Sequence, residues 1–140
     1  MAETARVLVV ANRTAESPEL LTALQERAGR GPCELTLLVP QTPHGLAWAA
    51  DPEAGHEEAE RHRQAFIDEL RQEGIPLAEA KVGDGDPLAA IQDECNFNDY
   101  DELIVSTLPL RMSKWLRVDL PSKARAATGL PVSHVVGSEN

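Results

Sequence analysis

The sequence predicts an α/β protein, a five-stranded, mostly parallel sheet with helices on both faces, doubly wound in the order βαβαβαβαβ. Three observations carry this. Short continuous runs of Val, Leu and Ile recur along the chain and have the character of strands buried on both faces. The stretches between them place apolar residues at helical spacing over lengths that suit a parallel crossover. Gly and Pro stand at the junctions, where helices start and stop.

The first strand is Arg6 to Ala11, ending at Asn12-Arg13-Thr14. Ser17-Pro18-Glu19 then has the form of an N-cap with Pro at the first helical position and an acid in the first turn. Leu20, Leu21, Leu24 and Ala28 form one apolar stripe, and residues Gly29 to Pro32 stop the helix. The second strand, Glu34 to Val39, closes at Pro40 and leads into a long loop, Gln41 to Asp51. Pro52-Glu53 opens a charged helix with Ala59, Phe66, Ile67 and Leu70 on its inner face, and Gly74 ends it. The third strand, Ala78 to Val82, is polar enough to be an edge strand. Asp86-Pro87 starts a helix with Leu88, Ile91 and Cys95 in a stripe. The fourth strand is Leu103 to Ser106; a basic loop, a helix and a turn at Thr128-Gly129 lead to the fifth, Val132 to Val136. Residues 1–137 are read as one domain and 138–140 as a frayed tail.

Thirteen basic against 23 acidic residues give a formal charge of −10, which argues against a general affinity for nucleic acid or anionic membrane. No run has the length of a membrane span, the N-terminal residues lack the pattern of a signal peptide, and the expected location is the cytoplasm. Cys33 and Cys95 lack metal or redox spacing and read as small core residues. The basic exception is the stretch from Arg111 to Arg125, where Arg111, Lys114, Arg117, Lys123 and Arg125 face a single acid, Asp119.

Several chemistries are missing from the sequence. There is no GxGxxG after the first strand, no GxxxxGK[ST] and no GxSxG. The first strand ends in Asn12-Arg13 rather than in the acids of a phospho-receiver site. The aspartates of the turn from Gly83 to Pro87 are better read through the N-cap role of Asp86 than as a cation loop. His56 and His62 are six apart on a helix and do not converge on one face as zinc ligands do. His44 falls in the long loop, and His134, alone on an apolar strand, reads as a core or interface residue. No nucleophile–base pair is supported by spacing, and no metal site or catalytic residue is expected.

The residues that remain resemble a family. VLVVANRTAESPEL, LTLLVP, the Gly-Asp-Pro helix start after the third strand, the Asp-Tyr-Asp-Glu-Leu-Ile-Val approach to the fourth and Gly-Leu-Pro-Val before the fifth are similar to the universal stress proteins over nearly the whole chain. The resemblance implies a five-stranded parallel sheet, often in a dimer. Many members bind ATP through a motif after the fourth strand: Gly, two residues, Gly, nine residues, Gly, then Ser or Thr. The glycines admit phosphates to backbone N–H groups and to a helix N-terminus. This chain keeps the spacing without the residues: Ser106 and Pro109 stand at the first two glycines, Asp119 at the third and Leu120 at the Ser/Thr. Pro109 offers no N–H, and Asp119 is expected to cap the helix where a phosphate would sit. Asn12 stands where members carry an Asp after the first strand.

The expectation is therefore a stress-protein-like regulatory or binding module, more a binder than an enzyme, without a bound cofactor and without ATP in the standard mode. The alternative is a nucleotide or another small anion in the crevice after the fourth strand. Its candidate residues are Asn12, Arg13, Val39, Ser106, Thr107, Pro109, Arg111, Lys114, Arg117 and Asp119. The basic side chains either line that crevice or are solvated charges paired with acids, and Trp115 and Leu116 cover it, anchor a partner or form a small local core. The expected partner is a second copy, paired through the strand 132–136.

Overall fold

The computed structural model describes residues 4–11, 14–15, 17–41, 53–75, 77–83, 86–109 and 119–137, with the side chains of 53–55 excepted. Five strands form one sheet: β1 (Ala5–Val10), β2 (Cys33–Pro40), β3 (Leu77–Gly83), β4 (Glu102–Thr107) and β5 (Val132–Val136). The order is β3-β2-β1-β4-β5, and every neighbouring pair is parallel. The helices among the described residues are α1 (Pro18–Gly29), α2 (Glu53–Gln72), α3 (Pro87–Phe97) and α4 (Leu120–Thr128). The sequence expectation of a mostly parallel α/β sheet is met by an entirely parallel one among the described residues, with β3 at one edge, as its polar composition suggests, and β5 at the other.

The alternation of side chains along the strands builds two cores. Val7, Val9, Leu35, Leu37, Val39 and Ile104 meet Leu20 and Leu24 of α1 and Ala59, Phe66 and Leu70 of α2 on one face. Leu8, Val10, Leu38, Leu103 and Val105 meet Ala90 and Ile91 of α3 and Leu120 and Ala124 of α4 on the other. A strand sandwiched between two helical layers must be apolar on both sides, which is why β1 reads as a continuous run rather than an alternation. Full burial of a Leu or Val side chain contributes roughly 1.5–3 kcal/mol.

The helix ends follow the local chemistry. Ser17 Oγ accepts from Leu20 N–H at 3.2 Å, and Asp86 Oδ1 accepts from Leu88 and Ala89 N–H at 3.0 and 3.3 Å. Gly74 (φ 70°) and Gly129 (φ 72°) take the left-handed conformation that ends α2 and α4. Gly83 is needed for space: a Cβ there would lie 2.9 Å from Leu38 Cδ1 and 3.0 Å from Ala90 Cβ. Cys33 and Cys95 are free and half-buried, one against each core.

One buried contact has no counterpart in the sequence pattern. Arg27, in the last turn of α1, is 9% exposed and grips Glu102 at the start of β4, Nε to Oε1 at 2.7 Å and Nη2 to Oε2 at 3.3 Å. The hydrogen bond to Glu102 raises the arginine's already high pKa. Helical periodicity places Arg27 near the apolar stripe but cannot announce a carboxylate arriving from a strand 75 residues away.

Candidate functional site

In an open doubly wound sheet, ligands lie outside the carboxyl ends of the strands where the winding reverses. Here β1 connects outward to β2 and β3 on one side, while β4 and β5 lie on the other, so the reversal falls between β1 and β4. The described residues around that point are small and hydroxylated. Thr14 and Ser17 come from the β1–α1 turn, and Ser106 and Thr107 end β4; all four are buried. Thr14 Oγ1 and Ser106 Oγ are 2.6 Å apart, a hydroxyl pair that bridges the ends of the two switch-point strands. Such a pair is in the ordinary range for O–H···O bonds.

The strand that follows closes the far side. Gly137 N–H donates to the Thr107 carbonyl at 2.7 Å. A Cβ at Gly137 would lie 2.6 Å from Ser17 Oγ and 3.1 Å from Thr14 Cβ, so the chain leaving β5 runs against the β1–α1 turn. Thr107 Oγ1 is 2.7 Å from His134 Nε2, tying β4 to the middle of β5. Burial pushes the His134 pKa below its ordinary value, so the ring is neutral at neutral pH.

The structure thus joins two residues that sequence reasoning set apart: Thr107, proposed for the crevice, and His134, read as a core or interface residue. Thr14 and Ser17 belong to the same cluster and were not singled out for it. A hydroxyl residue shortly after the end of an apolar strand was the available signal for Thr14. Val39 sits deep in the core shared with α1 and α2, at the end of β2. Pro109 is exposed just past β4. Asn12, Arg13, Arg111, Lys114 and Arg117, with Trp115 and Leu116, lie outside the described residues.

Asp119 corrects an expectation. It occupies the N-cap position of α4, but its side chain makes no capping hydrogen bond. Its backbone is left-handed (φ 54°, ψ 51°), whereas a side-chain cap needs an extended residue whose carboxylate can fold back over the first turn. Among the described residues it is the one non-glycine with positive φ. Aspartate tolerates that region better than most residues, but glycine is its natural occupant. The resemblance read from the sequence sets Asp119 at the motif's third glycine, and its backbone lies in the region that glycine favours.

Among the described residues, no group of three or more His, Cys, Asp or Glu side chains is placed to hold a metal ion, and no helix is long and apolar enough to cross a membrane. At the carboxyl ends of β1 and β4 the buried polar side chains among the described residues are hydroxyls, which both donate and accept, and the Asp119 carboxylate stands nearby at the start of α4.

The class defined by this geometry is a doubly wound parallel α/β domain with its switch point between β1 and β4. Its fold is that of the universal stress proteins. A universal stress protein family protein from Arabidopsis thaliana, crystallised with AMP bound, matches with a TM-score of 0.67 at 15% identity, over 96% of this chain and 92% of that one. The universal stress protein of Archaeoglobus fulgidus in complex with dAMP matches at 0.61 and 20% identity, over 96% and 99%. A universal stress protein in complex with cAMP matches at 0.63 and 17% identity, over 98% and 100%. No family model matches the sequence, and no curated protein matches it either.

Proposed function

We propose that this protein is a universal-stress-protein-like regulatory module, non-catalytic, that binds a small anionic ligand at the β1/β4 switch point and acts as a homodimer through β5. The observation that supports the site most directly is the Thr14–Ser106 hydroxyl pair at the carboxyl ends of β1 and β4. It lies in the position where this class of sheet receives ligands. The replaced glycines argue against ATP held in the standard mode: Pro109 has no N–H to give, and the Asp119 carboxylate stands at the start of α4.

A second reading is a nucleoside monophosphate in the same crevice. It is favoured by the AMP, dAMP and cAMP complexes among the proteins that share the fold. Isothermal titration of the whole chain with Mg-ATP, AMP, cAMP and inorganic phosphate separates the readings. The expected result is no heat with Mg-ATP and saturable binding of AMP or phosphate. That binding is expected to weaken about tenfold in Thr14→Val, as loss of one hydrogen bond to a charged group implies. Micromolar Mg-ATP binding untouched by Thr14→Val and lost on adding a charge at Ser106 would instead restore the standard nucleotide site.

A further inference from the structure

The buried stripe of α2 contains an arginine. Ala59, Phe66 and Leu70 face the core, and the helical spacing that joins them, four, three and four residues, passes through Arg63. An apolar residue is the ordinary occupant of such a position. The Arg63 side chain instead reaches beyond the stripe, and its guanidinium is engaged from two sides. Nε donates to Glu60 Oε2 at 3.1 Å, and Nη1 donates to the Ala80 carbonyl at 3.3 Å. Glu60 stands one turn earlier on the same helix and holds the direction in which the guanidinium points.

The Ala80 carbonyl belongs to the outer edge of the sheet. Gln41 N–H donates to the Gly83 carbonyl at 3.2 Å, so Gly83 turns its backbone groups toward β2. In a parallel ladder, alternate residues of a strand bond to the same neighbour. The register is unbroken from the Leu37–Ala80 pair to the Pro40–Gly83 pair. Lys81 therefore faces β2 together with Gly83, and Ala80 and Val82 turn their N–H and C=O groups away from it. Among the described residues no strand lies beyond β3. Such an edge is a template on which a strand of another molecule can add.

The side chains divide this edge between two faces. Ala80 and Val82 pack on the core shared with α2. Glu79 and Lys81 point to the other face, where Lys81 Nζ meets Glu94 of α3 at 2.8 Å. Charge on the α3 side thus comes from β3 itself, and on the α2 side Arg63 supplies it.

We propose that Arg63 plugs this edge: its guanidinium occupies the outward Ala80 carbonyl and keeps β3 from pairing with a strand of a second copy. An incoming strand needs that carbonyl as the acceptor for its own N–H. It must displace a hydrogen bond from a charged donor, which is stronger than the neutral one that replaces it. It must also cover a guanidinium that has lost a partner. The consequence concerns assembly. The homodimer proposed above uses β5, at the far edge of the sheet. A sheet with one usable edge closes as a pair, whereas head-to-tail contacts through two edges add copies without end. The plug keeps the assembly finite. It does not depend on the β5 dimer, since a monomer with an open β3 edge also associates.

Sedimentation velocity of the full chain at rising concentration tests the inference, with Arg63→Met as the first variant. Methionine keeps an unbranched apolar stem and a good helix preference while removing the donors. The expected wild-type mass is constant. The Arg63→Met mass is expected to grow with concentration to at least about twice the wild-type value and to fall again on dilution, as repeated addition at an edge requires. Adding Ala80→Pro should restore the wild-type mass: the N–H lost there faces outward, so no bond to β2 is broken, and a proline on the edge blocks strand addition. Circular dichroism reports whether each variant is folded. A folded Arg63→Met of wild-type mass at every concentration overturns the plug. Growth that survives Ala80→Pro, or that dilution does not reverse, marks aggregation from lost stability and overturns it as well. If Arg63→Met is unfolded, Glu60→Ala decides: it frees the guanidinium from one side without touching the core, and reversible growth of smaller amplitude is expected. Its absence overturns the plug. A wild-type monomer beside a growing Arg63→Met supports the plug and overturns the β5 homodimer alone.

Discussion

The amino and carboxyl ends of the sheet hold their polar groups in different ways. At the amino end the contacts are ionic. Arg27 is clamped to Glu102, Asp101 accepts from Arg6 N–H at 2.8 Å, and the Arg6 guanidinium lies 5.3 Å from the centre of the Tyr100 ring. Tyr100 leads into a network in which its hydroxyl donates to Glu94 Oε2 at 2.7 Å, beside Lys81 Nζ at 2.8 Å and Asn98 Nδ2 at 2.9 Å. At the carboxyl end the contacts that join β1, β4 and β5 run through hydroxyls and one imidazole, and the Asp119 carboxylate stands at the start of α4 without capping it. The comparison teaches a division of labour. Charges at the amino end are consumed by one another and hold helices to strands. At the carboxyl end of β1, β4 and β5 the strands are joined instead by uncharged donors and acceptors.

The sharpest way to break this contrast is to remove one partner of the amino-end clamp. Glu102→Ala leaves the buried Arg27 guanidinium unpaired, and the expected loss is about 3 kcal/mol, the scale found when one member of a buried pair is deleted. Urea denaturation of the variant measures it. A loss below about 1 kcal/mol would place the pair among surface ion pairs, which contribute little.

How much of this was legible in the sequence differs between the two ends for physical reasons. The strands were readable because burial on both faces requires continuous apolar runs, and the caps at Ser17 and Asp86 because a side-chain cap is a local device. The Arg27–Glu102 clamp was not, since an ion pair between distant residues leaves no periodicity in either segment. The same limit hid the Thr107–His134 bond, which spans 27 residues. Asp119 was misread for the opposite reason: residue type alone suggests a cap, while its left-handed backbone forbids one.

The second test concerns pH. Burial pushes the Glu94 carboxyl up, but hydrogen bonds from Lys81, Tyr100 and Asn98 outweigh it and hold the pKa below 4.5. The hydrogen bond to Glu94 in turn raises Lys81 above 10.5, and burial with the bond to Glu94 raises the Tyr100 phenol. Glu94 therefore contributes stability that is full above pH 4.5 and is lost as pH falls through its lowered pKa. Lys81 contributes stability that is full below pH 10.5 and is lost as pH rises through its raised one. Glu94→Gln is expected to cost about 2 kcal/mol near neutral pH, as for a hydrogen bond to a charged group. It should also flatten both limbs of the stability–pH profile measured by thermal melts. Unchanged limbs would move the titration to other groups and take the network out of the amino-end lock.

The smallest expected effect lies at the carboxyl end, at the start of α4. Asp119 holds a left-handed backbone that glycine adopts without steric cost. Asp119→Gly should therefore stabilise the fold by about 0.5 kcal/mol, the relief at α4 being partly offset by the greater freedom of glycine in the unfolded chain. A stabilised variant that still ignores Mg-ATP would mean that the glycine backbone persists for the turn alone. Gain of Mg-ATP binding by the same substitution would mean that one carboxylate at the start of α4 is what excludes the phosphates, and that the rest of the loop still accepts them. Destabilisation would show that the Asp119 side chain holds a contact that outweighs its backbone strain.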